Sequence, residues 1–211
     1  FQFKNKSILI LSPEGWGKSQ LSKHLYAKEL SKNNTIYFLH TSPHPHQHHF
    51  IETQIVEENI TLIHLKNVVR GINKLPPFLI DIQNKQIIKK LLQIIDKRID
   101  VVWSFDQSKF QNLRQFNASV KIFHPVDYIE KASSYLTRIA NSADVVLSVS
   151  HAILDEIETT TPKHFINHGL DNIFVQKNDI EKRPDFILEN KINVGYVGNL
   201  QIKLMDWEAL T

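Results

Sequence analysis

The stretch Ile8–Gln20, ILILSPEGWGKSQ, runs from an apolar strand-like segment into a turn that closes on Gly17-Lys18-Ser19. That ending is almost the close of a nucleotide-binding P-loop, which cradles phosphates with backbone N–H groups and a lysine and reads G-x-x-x-x-G-K-[ST]. Position 12, where the first glycine belongs, is Ser. Pro13 has no N–H to donate, and Glu14 sets a negative charge where phosphates would lie. A kinase or ATPase is therefore a rival reading rather than the preferred one. Gly15, Trp16 and Gly17 are left with two uses: a tight strand-to-helix turn, or a loop that lets backbone approach a ligand at a helix N-terminus.

Other residues able to do chemistry follow along the chain. HTSPHPHQHHF places His40, His44, His46, His48 and His49 within ten residues. Imidazole is a frequent Zn²⁺ ligand, but there is no Cys and Glu52 is the only nearby carboxylate, so the expectation is a polar loop at a binding edge and no metal site. Asp106, in VVWSFD, lies just past an apolar run, where it can bind acceptor hydroxyls or cap a short helix from Ser108. In VKIFHPVDYIE, His124 ends another apolar run before Pro125. Asp127 is either a second polar group at that edge or an N-cap.

These residues need elements to position them. Short runs rich in Ile, Val and Leu mark strands at 7–11, 35–39, 60–65, 100–104, 120–124, 145–149, 163–167 and 192–197. Several are continuously apolar, as in strands covered on both faces. Apolar stripes at helical spacing predict helices over 85–97 and 128–143. Residues 18–32 read as helix by composition, and Ser150 is a candidate N-cap for another. Strand and helix in alternation imply a doubly wound, Rossmann-like α/β fold with a parallel sheet. Ligands in such folds sit beyond the carboxyl ends of the strands, so the loops after these runs are the ones to inspect.

Composition narrows the class. The chain has 211 residues, 42% hydrophobic and 22% charged, with a formal charge of +3 and no Cys. These are values of an ordinary globular protein. The mild charge and the lack of aromatic and basic interleaving argue against a nucleic-acid partner. No apolar run approaches the ~18 residues of a membrane span, and the expected location is cytoplasmic. Lys18, Lys23, Lys28 and Lys32 offer either a basic surface for the inner membrane face or, preferably, a solvated helix face. Polar residues between 171 and 190 read as a linker, with a domain boundary near 185. Residue 1 is Phe and LMDWEALT ends abruptly, so the expectation is a piece of a longer protein.

Three phrases in order carry a family likeness. ANSADVVLSVSHAILDEI, then KHFINHGLDNIFV, then INVGYVGNL resemble glycosyltransferases of the GT-B architecture, in particular the retaining family 4 group. Ala143-Asp144 through Ser150 match its ADxVLxVS. Asn167-His168-Gly169-Leu170-Asp171, with Phe174, match its NGVDxxxF with an inserted His. The resemblance implies that residues 1–185 are the acceptor-side domain and that 186–211 begin the donor-binding one. Gly198 and Asn199 then fall at the donor phosphate, and His124 lies near the transferred sugar, where it assists by hydrogen bonding. The residue's alternative role is to cap its strand. The implied activity is sugar transfer from a nucleotide-diphosphate donor to a glycan or lipid-linked acceptor, as in cell-surface polysaccharide synthesis. It needs no cofactor, and residues 1–211 are not expected to complete it alone. The alternative is a non-catalytic sugar- or partner-binding Rossmann domain.

Overall fold

The computed structural model describes residues 3–17, 20–40, 50–66, 75–127 and 133–168, together with Ile187 and Ile192. The chain divides into two compact units, Phe1–Asp171 and Asn172–Thr211, and the elements below all belong to the first. The expected boundary near 185, Gly198, Asn199 and all but the first residue of the expected strand 192–197 lie outside the described residues.

In chain order the elements are β1 (Ser7–Ser12), α1 (Ser22–Ser31), β2 (Thr35–His40), β3 (Ile51–Glu57), β4 (Ile60–Leu65), α2 (Pro77–Ile95) and β5 (Val101–Ser104). After a 3₁₀ turn at Leu113–Phe116 come β6 (Val120–Phe123), α3 (Ser133–Ser142), β7 (Val145–Ser148), α4 (His151–Glu156) and β8 (Lys163–Phe165). They build one sheet in the order β3-β4-β2-β1-β5-β6-β7-β8. Every pairing is parallel except β3 with β4, an antiparallel edge hairpin with an irregularity between Ile55 and Glu57. The sheet is thus the expected doubly wound one, with an antiparallel edge added.

Side chains alternate cleanly between two cores, as the period of two along a strand requires. Ile8, Ile10, Ile36, Phe38, Val101 and Trp103 face a core shared with Ala27 of α1. Leu9, Leu11, Tyr37, Leu39 and Val102 face the other, shared with α2, α3 and α4. Both faces of the central strands are covered, which is why their sequences are apolar without interruption.

Three helices differ from their sequence expectation. α1 starts at Ser22, after non-helical Gln20 and Leu21, where helix was expected from residue 18. α2 starts at Pro77, well before the expected Lys85, because proline suits the first helical position, where its missing N–H costs nothing. Ser150 occupies the N-cap position of α4, but its side chain makes no capping bond.

The strand starts share a device. Asp100 donates its N–H to Ser7 O at 2.9 Å and takes Ser7 N–H on Oδ2 at 3.0 Å. Asp144 does the same with Lys121, at 2.8 Å in each direction. Asn34 accepts the Lys6 N–H at 3.0 Å. Each carboxylate or amide satisfies a backbone donor where the parallel ladder begins, and so fixes the register of β1 with β5, β6 with β7 and β1 with β2.

Removing one such acceptor leaves a partly buried N–H unpaired. Asp100→Ala is expected to lower stability to urea unfolding by about 1–2 kcal/mol, and Asp100→Asn, which keeps an acceptor, by clearly less. Equal losses in the two variants would show that the clamp does not set the register.

Candidate functional site

The carboxyl edge of the sheet is built from serines. Ser12, Ser104 and Ser148 end β1, β5 and β7 and are fully buried. Their hydroxyls donate to Glu14 O at 2.7 Å, Asp106 O at 3.0 Å and Pro125 O at 2.7 Å. These bonds satisfy carbonyls of the loops that follow β1, β5 and β6 and hold those loops in place. From β1 and β5 the connections depart in opposite directions, through α1 to β2 on one face and through the 3₁₀ turn to β6 on the other. A crevice opens at such a switch point. There the structure has a cleft of about 230 Å³ lined by Glu14, Leu21, Ser22, Lys23, Phe105, Val126, Asp127 and His168.

Its floor carries a buried cation. Lys23 lies in the first turn of α1 and is only 3% exposed, ion-paired with Glu14, which is 45% exposed. The ammonium also lies 6.0 Å from the centre of the Phe105 ring. The sequence reading of Lys23 as part of an outward basic face is thereby corrected. Lys28 and Lys32 pair with Glu57 and Glu29, so α1 presents no free basic stripe, and Lys18 lies outside the described residues. His24, unremarked in the sequence, staples the loop to α1. Its Nδ1 accepts the Leu21 N–H at 2.9 Å, and its Nε2 lies 3.2 Å from Gly15 O, where it donates. Burial lowers its pKa, so the neutral tautomer that makes both bonds is the favoured one.

His124 follows β6 and is completely buried. Its N–H continues the ladder to Ser104 O at 2.7 Å. Trp103 Nε1 can only donate, and it lies 3.3 Å from His124 Nδ1. The ring proton therefore sits on Nε2, and Nε2 has no hydrogen-bond partner among the described residues. Burial, then the nearby His168, push the pKa down to about 4. His124 is thus a neutral imidazole holding an unused donor, packed against Phe105, which lines the cleft, at 4.8 Å between ring centres. His168 enters from beyond β8, its Nδ1 2.7 Å from Ser22 Oγ. Tyr26 OH reaches Asn167 O at 3.4 Å.

The other sequence candidates are distributed as follows. Asp127 lines the cleft, and its carbonyl accepts from Gln107 Nε2 at 3.0 Å. Residues 128–130 lie outside the described residues, so its capping role is not placed. Asp106 is buried, with Oδ1 taking Ser108 N–H, Ser108 Oγ and Lys109 N–H at 2.7, 3.0 and 3.1 Å. That carboxylate organises a turn, and no helix follows at Ser108. Trp16 packs edge-on against Phe38 and His24, at 5.0 and 5.3 Å between centres. Among the described residues, no heavy atom beyond its chain neighbours lies within 4 Å of where a Cβ on Gly17 would stand. Packing among these residues therefore does not demand glycine there. α1 begins at Ser22, whereas a P-loop helix opens at the Gly-Lys-Ser itself, which counts against the ATPase reading. Of the histidine cluster, only His40 is described. Its ring meets that of His64 edge-on at 4.4 Å. Among the described residues no group of three His, Cys, Asp or Glu could hold a metal.

Sequence reasoning passed over His24, the pairing of Lys23 with Glu14 and the Ser22–His168 contact. Lys23 and Glu14 are nine residues apart across a loop, a spacing with no helical or strand signature. The serines did leave a signal: ILILS, VVWS and VVLS repeat one ending.

Discarding one half of the Lys23–Glu14 pair should cost more than discarding its charge. Glu14→Gln leaves a buried ammonium unpaired and is expected to cost about 1–3 kcal/mol in urea unfolding, whereas Lys23→Met removes the ion that needs solvation and should cost less. The reverse order would show that Lys23 is solvated.

No family model matches the chain, and no curated protein does. Solved structures do. Sucrose-phosphate synthase from Thermosynechococcus elongatus superposes with a TM-score of 0.50 at 12% identity, covering 81% of this chain and 93% of that one. Trehalose-6-phosphate synthase from E. coli, bound with UDP-2-fluoro glucose, gives 0.56 at 11% identity over 84% of this chain; the chain spans 52% of that protein's length. At these identities the likeness is one of fold. The chain has the Rossmann-like α/β fold of GT-B glycosyltransferases.

Proposed function

We propose that the chain serves a glycosyltransferase, moving a sugar from a nucleotide-diphosphate donor to a hydroxyl of a glycan or lipid-linked acceptor. The observation that carries this reading is the buried, neutral His124 with an unused Nε2–H beside a cleft at the switch point of the sheet. A donor that stays neutral near pH 7 suits hydrogen bonding to a sugar hydroxyl and does not suit general-base catalysis, for which a pKa near the working pH is favoured. Held by Trp103 and buried against aromatic rings, it needs no reorganisation when charge develops on the sugar.

In this reading the cleft takes acceptor or sugar hydroxyls through Asp127, His168 and the Lys23–Glu14 pair. The open space at Gly17 lets a ligand approach the backbone of the loop. The donor side, with Gly198 and Asn199 at the phosphate, rests on the sequence resemblance. So do retention at the anomeric carbon, a hexose-type donor, polysaccharide synthesis and a cytoplasmic setting. No cofactor is invoked, the nucleotide-sugar being a substrate.

The test is nucleoside-diphosphate release from a panel of nucleotide-sugars, with and without glycan and lipid-linked acceptors, by the full-length protein. His124→Ala is expected to lower kcat by about 10²–10³-fold, the usual loss for one preorganised donor, with little change in KM for the donor. Unchanged turnover in His124→Ala would remove His124 from the chemistry. No release from any donor would favour the sugar- or partner-binding domain.

A further inference from the structure

α2 buries one face, through Ile80, Ile87, Ile88, Leu91 and Ile95, but its first turns are apolar on the outside as well. Phe78 is 63% and Ile82 58% exposed, with Leu75 and Leu79 exposed beside them. Positions 78 and 82 lie on one helical stripe that Lys85 and Lys89 continue, with Leu79 beside it and Leu75 just before the helix. A chain that covers both faces of its sheet so fully leaves these four side chains in water, three on the first turns of α2 and Leu75 just before it.

The unpaired charges of α2 beside the patch are of one sign. Lys85 and Lys89 are exposed and have no ion-pair partner among the described residues. The acid nearest the patch in sequence, Asp81, is neutralised by Arg138 of α3 at 2.5 Å. By contrast, Lys23, Lys28 and Lys32 of α1 are each paired. The exposed stripe therefore reads as large apolar side chains followed by unpaired lysines.

We propose that this outer face of α2 docks on an anionic lipid surface. Phe78, Ile82, Leu75 and Leu79 enter the boundary between headgroups and acyl chains, and Lys85 and Lys89 meet the phosphates, the division of labour in interfacial amphipathic helices. Topology sets the orientation. α2 returns from β4 to β5, which lie parallel in one sheet, so it runs opposite to the strands. Its first turn consequently lies at the carboxyl edge, the edge that holds the cleft. Docking by that turn brings this edge to the membrane. No described helix is long and apolar enough to cross a membrane, and the contact proposed here is a peripheral one. This inference does not depend on the sugar-transfer reading, since lipid binding is measured without activity.

The experiment is flotation of the full chain with vesicles of phosphatidylcholine alone and of phosphatidylcholine with phosphatidylglycerol. The chain is expected to float with the anionic vesicles only, and less so as salt is raised. Phe78→Ser with Ile82→Ser should weaken binding by about tenfold or more, and Lys85→Gln with Lys89→Gln by about fivefold per charge. Thermal unfolding of the variants should stay close to the parent's, because all four side chains are exposed. Failure to bind anionic vesicles overturns the proposal. So does binding that the Phe78 and Ile82 substitutions leave intact. Concentration-dependent self-association abolished by those substitutions, without lipid binding, would instead assign the face to a second copy of the chain.

Discussion

A parallel sheet covered on both faces has to satisfy its strand ends with its own side chains, because helices and neighbouring strands keep water from them. That constraint governs this protein. At the amino edge, Asn34, Asp100 and Asp144 take the first N–H groups of neighbouring strands. At the carboxyl edge, Ser12, Ser104 and Ser148 donate to carbonyls of the departing loops. With both edges anchored this way, the loops over the switch point are held from beneath and can present polar groups without unravelling the strands.

The site follows from the same economy. His124, just past β6, lies two residues beyond Ile122, the partner of Trp103 on the neighbouring β5. The indole N–H cannot accept, so it dictates the tautomer of the imidazole it reaches. The aromatic side chains of Tyr26, Trp103 and Phe105 surround the ring and keep it neutral. The Lys23–Glu14 pair performs a parallel service on the other side of the cleft, joining the loop after β1 to the start of α1. His124 lies fully buried behind Phe105, and the polar lining of the cleft itself is Asp127, His168, Ser22 and the Lys23–Glu14 pair.

Much of the scaffold could be read from the chain before any coordinates. Seven of the eight strands were marked, several of them by continuous apolar runs, because burial on both faces removes the polar alternation that would blur them; exposed β8 is not such a run. β3 escaped since it is the edge: Glu52, Thr53 and Gln54 interrupt it, and most of its side chains are exposed. The start of α2 was hidden by Pro76-Pro77, which reads as a break although proline is at ease in a first helical turn. The repeat of DVVWS in DVVLS, at β5 and β7, holds both clamps in one phrase and was legible, yet it went unread as a structural device. At the site, His124 and Asp127 were identifiable by lying just past an apolar strand. Lys23, His24 and His168 were not, because their partners Glu14, Leu21, Gly15 and Ser22 are brought to them by loops whose geometry no periodicity encodes. Asp106 looked equally poised, but its three hydrogen bonds are local and its carboxylate is buried.

The central claim is that the protein holds an uncharged imidazole donor under its cleft. Nitrogen-detected NMR of the His124 ring across pH tests it most directly. The structure predicts a proton on Nε2, a bare Nδ1 shifted by its bond to Trp103, and no second protonation until the pH falls to about 4. A ring protonated on Nδ1, or one titrating near the ordinary histidine value of about 6.5, would contradict it.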